Sequence, residues 1–238
     1  MINSFAIIAF AALIHASFQL SVSVLTLMSG HAIGKKTAHT KLLRLTNSFS
    51  LGVGVMTVLI LSFLTFIFQQ GFDHAIPAVA WASSTGLLIG LGVAVWVFYY
   101  RRNPGTSLWI PRSMARYLSD RTKNTKYSAE AFGLGLSSVV GELIFIFAPM
   151  TVAALSLWQL DPAMQLVGIA IYTFISLLGL LVVNGLIGSG HTLGGIQKWR
   201  ENNKRFLQFA AGSGLLILGF YLYVDKVIAV TAMAHGAL

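Results

Sequence analysis

Apolar residues come in six long runs separated by polar, basic segments, and the runs show no alternation of the kind a strand would give. They cover residues 5–28, 48–68, 79–100, 130–158, 164–188 and 207–224. About 20 apolar residues in a helix cross the roughly 30 Å of bilayer hydrocarbon. A membrane strand would need about 10 residues of alternating polarity. The pattern therefore predicts an all-α, multi-pass membrane protein with six transmembrane helices. No basic residue precedes the first run before Lys35, and the run is too long for a signal-peptide core. It is expected to be a retained helix.

The basic residues give a topology. One segment holds Lys35, Lys36, Lys41 and Arg44. A second holds Arg101, Arg102, Arg112, Arg116, Arg121, Lys123 and Lys126, and a third Lys198, Arg200, Lys204 and Arg205. All three follow odd-numbered spans, so they fall on one side and leave only Lys226 on the other. The positive-inside rule makes that side cytoplasmic and both termini extracytoplasmic, in a cell (inner) membrane. Trp81, Tyr99, Tyr100 and Trp158 at span ends suit an interfacial aromatic belt.

The six spans divide into three-helix halves, residues 1–100 and 128–238, joined by a basic cytoplasmic linker, 101–127. Three spans per half give the halves opposite orientations, an inverted repeat. Gly86-Leu87-Leu88-Ile89 in the third run matches Gly214-Leu215-Leu216-Ile217 in the sixth, 128 positions on. The same offset carries the first run onto the fourth. It fails for the second and fifth, because the first connecting segment is longer than its counterpart. Gly86 and Gly90 form a G-x-x-x-G pattern suited to close helix packing. Within the linker, Ser113–Lys126 is expected either as a basic interfacial helix or as a solvated connection.

Composition excludes several classes. The chain has 238 residues, 56% hydrophobic and 10% charged, where a soluble domain averages about 25% charged. The net charge of +9 belongs to cytoplasmic loops of a membrane protein rather than to a nucleic-acid interface. There is no cysteine, hence no disulfide and no thiol chemistry. No phosphate-binding glycine loop, zinc-protease helix or serine elbow is present, so neither an enzyme nor a cofactor is expected.

A charge at mid-membrane costs at least about 2.5–3.5 kcal/mol, so each needs a reason. Glu142 is the one acid deep in a run. His15 stands near the middle of the first run, with Gln19 one turn on, and the offset maps His15 next to Glu142. The three are candidate ligands of a proton, cation or small solute. The alternative is that Glu142 and His15 only join helices by hydrogen bonds. Pro149, with Gly133, Gly135 and Gly141, suggests that the fourth helix is discontinuous. His31 and His191, in matching Ser-Gly-His segments, fall at the cytoplasmic mouth. They are expected as helix-end residues or as a transient metal pair.

Two segments carry a family likeness: Ala131–Ser138 running on to Pro149, and Arg205–Leu222. With the six-span plan they resemble the superfamily of lysine-exporter-type transporters, nickel and cobalt exporters and thiol–disulfide electron conduits (LysE/DsbD-type). The resemblance implies an exporter working through inverted halves. The chain departs from the electron conduits, with Phe18-Gln19 and Val139-Val140 in place of Pro-Cys. It departs from the nickel exporters too, since His15 is followed five residues on by Leu20 rather than Asp.

The leading expectation is an exporter of a small solute or cation by alternating access, with Glu142 as coupling or binding carboxylate. The alternatives are a non-transporting assembly or scaffold protein that docks partner helices or lipid, and a cysteine-less relative of the electron conduits. The bilayer and the substrate are the expected partners, nucleic acid is not, and a homodimer is left open.

Overall fold

The computed structural model describes residues 1–18, 36–72, 75–99, 120–121, 125, 127–189, 198–199 and 202–229. Nearly all of these residues are helical, without a strand among them. The helices are α1 (Ile2–Ser17), α2 (Lys36–Gly71), α3 (Ala78–Ala94), α4 (Ser128–Trp158), α5 (Pro162–Ser176), α6 (Leu178–Gly188) and α7 (Lys204–Leu222). α3 and α7 each run into a π-helical turn, Val95–Tyr99 and Tyr223–Ile228. Among the described residues four helices are long and apolar enough to cross a membrane, or five if the bent pair α5–α6 is one span.

The helix boundaries correct three expectations. The first run is not helical through to Met28: α1 stops at Ser17, and the chain leaves the helix at Phe18. The Ser17 hydroxyl bonds the Ile14 carbonyl at 2.6 Å, competing locally for helix acceptors. α2 begins twelve residues ahead of the second apolar run, so Lys36, Lys41 and Arg44 lie on a helix rather than in a connecting loop. Its early turns bury Leu42, Leu45 and Phe49 while Lys41 and Arg44 stay exposed. That is the stripe of an amphipathic helix continuing past the apolar core.

The break expected at Pro149 is elsewhere. α4 passes through Pro149 as one helix of 31 residues. Buried neighbours on both sides hold the helix together there. The fifth run is the one that bends, by 52° at Leu177. There the Thr173 carbonyl accepts from both the Leu177 N–H, at 3.1 Å, and the Ser176 hydroxyl, at 2.9 Å. A side chain that takes a backbone acceptor is a recognised cause of helix bending. α5 itself starts cleanly, with the Asp161 carboxylate capping the Met164 N–H at 3.1 Å and Pro162 in the first turn.

α4 is the centre of the bundle. α2 lies along it in the most extended contact, α1 crosses it, and α3 touches it. α3 otherwise packs on α7, and α1 packs on α5 and α7. Among the described residues, α1, α2 and α3 have no extended contact with one another. Polar links tie further pairs: Asn184 on α6 donates to the Ser50 hydroxyl of α2 at 2.9 Å, and, in an exposed contact, the Tyr221 hydroxyl of α7 donates to the Asn3 side chain of α1 at 2.9 Å.

Small residues decide where the helices meet, but not the pair expected. Gly86 and Gly90 have open space where a side chain would be. A Cβ on Gly52 would run into the Phe132 carbonyl oxygen, and one on Gly135 into the Phe49 carbonyl oxygen. α2 and α4 therefore touch backbone to backbone, which glycine alone permits. α3 and α7 meet in a similar way. A Cβ on Gly92 would lie 2.9 Å from the Leu216 side chain and one on Gly219 2.7 Å from Ile89. Trp81 is not a belt residue, since it is buried with the Lys226 ammonium 5.9 Å from its ring centre.

Gly52→Ala and Gly135→Ala should each lower thermal stability of the detergent-solubilised protein by about 1–3 kcal/mol, the usual range for overpacking a tight contact. Gly86→Ala should not lower it. Equal melting temperatures for all three would remove the backbone contact from the structure.

Candidate functional site

His15 sits in the last turn of α1, two residues before the helix ends. A histidine there faces the negative end of the helix dipole. The crossing of α1 over α4 brings it to Glu142, with His15 Nε2 3.8 Å from Glu142 Oε2. The two residues are 4% and 3% exposed. The distance is too long for a direct hydrogen bond and well within reach of an ion pair. A shift of under about 1 Å would close it to hydrogen-bond length.

The other ring nitrogen is also engaged. His15 Nδ1 lies 3.1 Å from the hydroxyl of Tyr172 on α5, a side chain with no exposed surface. Three helices thus contribute one group each to a chain of carboxyl, imidazole and phenol. One turn along both α1 and α4, Phe18 and Phe145 stack at 5.4 Å between ring centres and 12° between planes. The stacked rings sit beside the polar groups and anchor the residue at which α1 ends.

The chemistry open to this arrangement is proton exchange. Carboxylate with imidazolium, and carboxyl with neutral imidazole, both leave the pair with zero net charge, so one proton can shift between them without an uncompensated buried charge. Among the described residues no group of three or more His, Asp or Glu side chains is placed to hold a metal ion.

The structure brings His15 and Glu142 together and adds Tyr172, which the sequence reading missed. A clue was available: a tyrosine in the middle of an apolar run is away from the interface where tyrosines gather, and a buried phenol needs a partner. Gln19, His31 and His191 lie outside the described residues, as does most of the 101–127 linker. Pro149 lies in α4 two turns beyond Glu142 and does not open the helix. Ser137 and Ser138 bond carbonyls of their own helix, those of Gly133 and Gly135. A separate groove of about 370 Å³ between α2 and α5, lined by Ser50, Gly54, Val58, Thr173 and Leu177 among others, shares no residue with this site.

Compared with protein families, curated proteins and solved structures, the chain matches none.

A double-mutant cycle on His15→Leu and Glu142→Leu should give a coupling free energy of about 0.5–2 kcal/mol, the range for polar pairs between membrane helices. Strictly additive losses in thermal stability would mean that the two side chains do not interact.

Proposed function

We propose that the protein is a membrane transporter or exporter of a small solute or cation, with Glu142 as its coupling carboxylate and His15 beside it. The observation that carries this is the buried Glu142–His15 pair at the crossing of α1 and α4. Ionisable groups inside a bilayer are costly, and they mark ion or proton pathways more often than not.

The reading includes two inverted halves that alternate access, as in the lysine-exporter-like scaffold the sequence resembles. The pattern of contacts supports a two-fold relation that exchanges α1 with α4, α2 with α5–α6, and α3 with α7. Positions 15 and 142 differ by 127, as do 18 and 145, so His15–Glu142 and Phe18–Phe145 each pair a position with its own equivalent. The same shift turns the Gly92–Leu216 contact into the Gly219–Ile89 contact. It also carries α3 with its π turn onto α7 with its own. The shift is one less than the 128 read from the Gly-Leu-Leu-Ile motifs. On the α2–α4 crossing Gly52 meets Phe132 and Leu136. On the α1–α5 crossing Gly168 meets Phe5 and Ile8, which precede those two by 127 and 128 positions. In this plan the substrate site lies at the interface of the halves, and so does the pair.

One observation favours a second reading. Glu142 is sealed from solvent, as expected of an acid that only holds helices together in a non-transporting scaffold. A transporter closed at both ends seals its site as well.

The two readings part in vesicles. With protein reconstituted in liposomes, addition of the right divalent metal, basic amino acid or other solute should drive proton movement, and Glu142→Gln should abolish it. If no solute moves protons through folded protein, the scaffold reading takes over. Single cysteines placed near residue 1 and in the 101–127 linker test the topology in intact cells. The first should react with an impermeant thiol reagent and the second should not, and the reverse would invert the orientation.

A further inference from the structure

We propose that the groove between α2 and the bent α5–α6 pair is a binding site for an anionic phospholipid, with one acyl chain lying along α2 and the phosphate held by Arg44 and Lys41. The site shares no residue with the Glu142–His15 pair, and its test needs no solute to move.

The groove follows α2 from Ser50 to Leu59, about 14 Å of helix axis. Its other wall is Thr173 and Leu177, at the 52° bend. Gly54 lets the two walls approach, since a Cβ there would lie 3.2 Å from the Leu177 side chain. Leu51 and Leu59 are 63% and 57% exposed, so the groove opens on the outer surface of the bundle, where a bilayer supplies lipid. Its length matches one leaflet, about 15 Å of hydrocarbon. Its volume of about 370 Å³ over that length gives a mean cross-section of about 26 Å². A helix about 10 Å across has a section of about 80 Å². The groove therefore fits a single extended chain and not a partner helix.

Apolar fit alone selects nothing in a bilayer, because every lipid tail is as apolar as the groove. Selection must come from the headgroup. Helical spacing sets Arg44 on the stripe of α2 that lines the groove: Leu51, Val55 and Val58 follow it by seven, eleven and fourteen residues. Lys41, three residues before Arg44, is its neighbour on the helix surface. Both side chains are exposed. Arg44 stands about 10 Å along the axis from Leu51, just outside the apolar run that begins at residue 48. A chain lying in the groove thus has its phosphate at the level of these two cations. Among the described residues neither cation has an acidic partner. A guanidinium grips phosphate through two N–H groups, and the ammonium adds a point charge. Each cation at a membrane surface is worth about a five-fold preference for anionic lipid, so the pair gives about 25-fold.

The test is native mass spectrometry of the purified protein in detergent, mixed with equal amounts of dioleoyl phosphatidylglycerol and dioleoyl phosphatidylcholine. Wild type should retain one phosphatidylglycerol over phosphatidylcholine by about 25-fold. Arg44→Gln and Lys41→Gln should each cut that preference about five-fold, and Arg44→Lys, which keeps the charge, should retain most of it. Val55→Trp fills the groove from its exposed wall and should displace the lipid without lowering the melting temperature. Glycerol phosphate, which carries the anion without the chains, should not compete. Equal retention of the two lipids by wild type, an unchanged preference in the folded Lys41→Gln/Arg44→Gln protein, or full lipid binding by Val55→Trp would overturn the proposal. So would competition by glycerol phosphate, which would make this a free-phosphate site. A dimer mass that Val55→Trp abolishes would overturn it too, by making the groove an interface between copies. Should Val55→Trp not fold, the charge variants decide the matter, because both cations are exposed and their substitution leaves the packing intact.

Discussion

Glu142 can be accommodated only because α4 is enclosed by protein. In its apolar stretch 78% of residues are buried, against 33% in α2, α3 and α7. A helix bathed in lipid would expose a carboxyl to hydrocarbon or force it out toward the interface. A helix wrapped by four others can offer it a partner instead. The enclosure has its own requirement, since lipid tails are as apolar as leucine and give helices no hydrophobic reason to associate. What holds α2 against α4 is close fit, and the fit depends on the two glycines that let the backbones touch. The acid, its histidine and the tyrosine behind them all follow from α4 being the inner helix.

The sequence made the helices legible and their ends much less so. Five of the six apolar runs correspond to α2, α3, α4, α5–α6 and α7, because a 20-residue apolar run has few other solutions. The start of α2 was hidden because hydropathy marks where lipid is, not where hydrogen bonding begins. The Leu42, Leu45 and Phe49 spacing carries the helix further while Lys41 and Arg44 lower the average. The end of α1 is hidden because hydropathy stays high past Phe18 even as Gln19, Ser21, Ser23 and Thr26 enter the run. The bend was assigned to Pro149 on residue type alone. The decisive factor was whether neighbours hold the helix: they do around Pro149, whereas at Leu177 a serine hydroxyl competes for the Thr173 carbonyl.

The site was half legible. Rarity singles out Glu142 in the sequence, and the internal offset sets His15 at the position next to its equivalent. Tyr172 belongs to a different helix, and no spacing rule connects it to residue 15. The packing glycines show the same limit. Gly86 and Gly90 match a motif and pack against nothing, whereas Gly52 and Gly135 match no motif with each other, because each needs only the carbonyl of a distant residue. Contacts within one helix are written in its sequence, but contacts between helices depend on a partner surface that the sequence does not reveal.

The length of α2 has a mechanical consequence. At 1.5 Å per residue its 36 residues span about 54 Å, well beyond the thickness of hydrocarbon. Gly52 lies 16 residues from the start of the helix, about 24 Å along its axis. The contact there is backbone on backbone, with no interlocking side chain on the glycine to resist rotation. α2 is thus a long lever held along α4, with Leu45, Phe49 and Val53 buried on either side of the Gly52 contact. Tilting it by about 10° about Gly52 would swing the Lys36 end through about 4 Å. A force applied to the basic tip would reach the centre of the bundle as a small rotation against α4, the helix that carries Glu142.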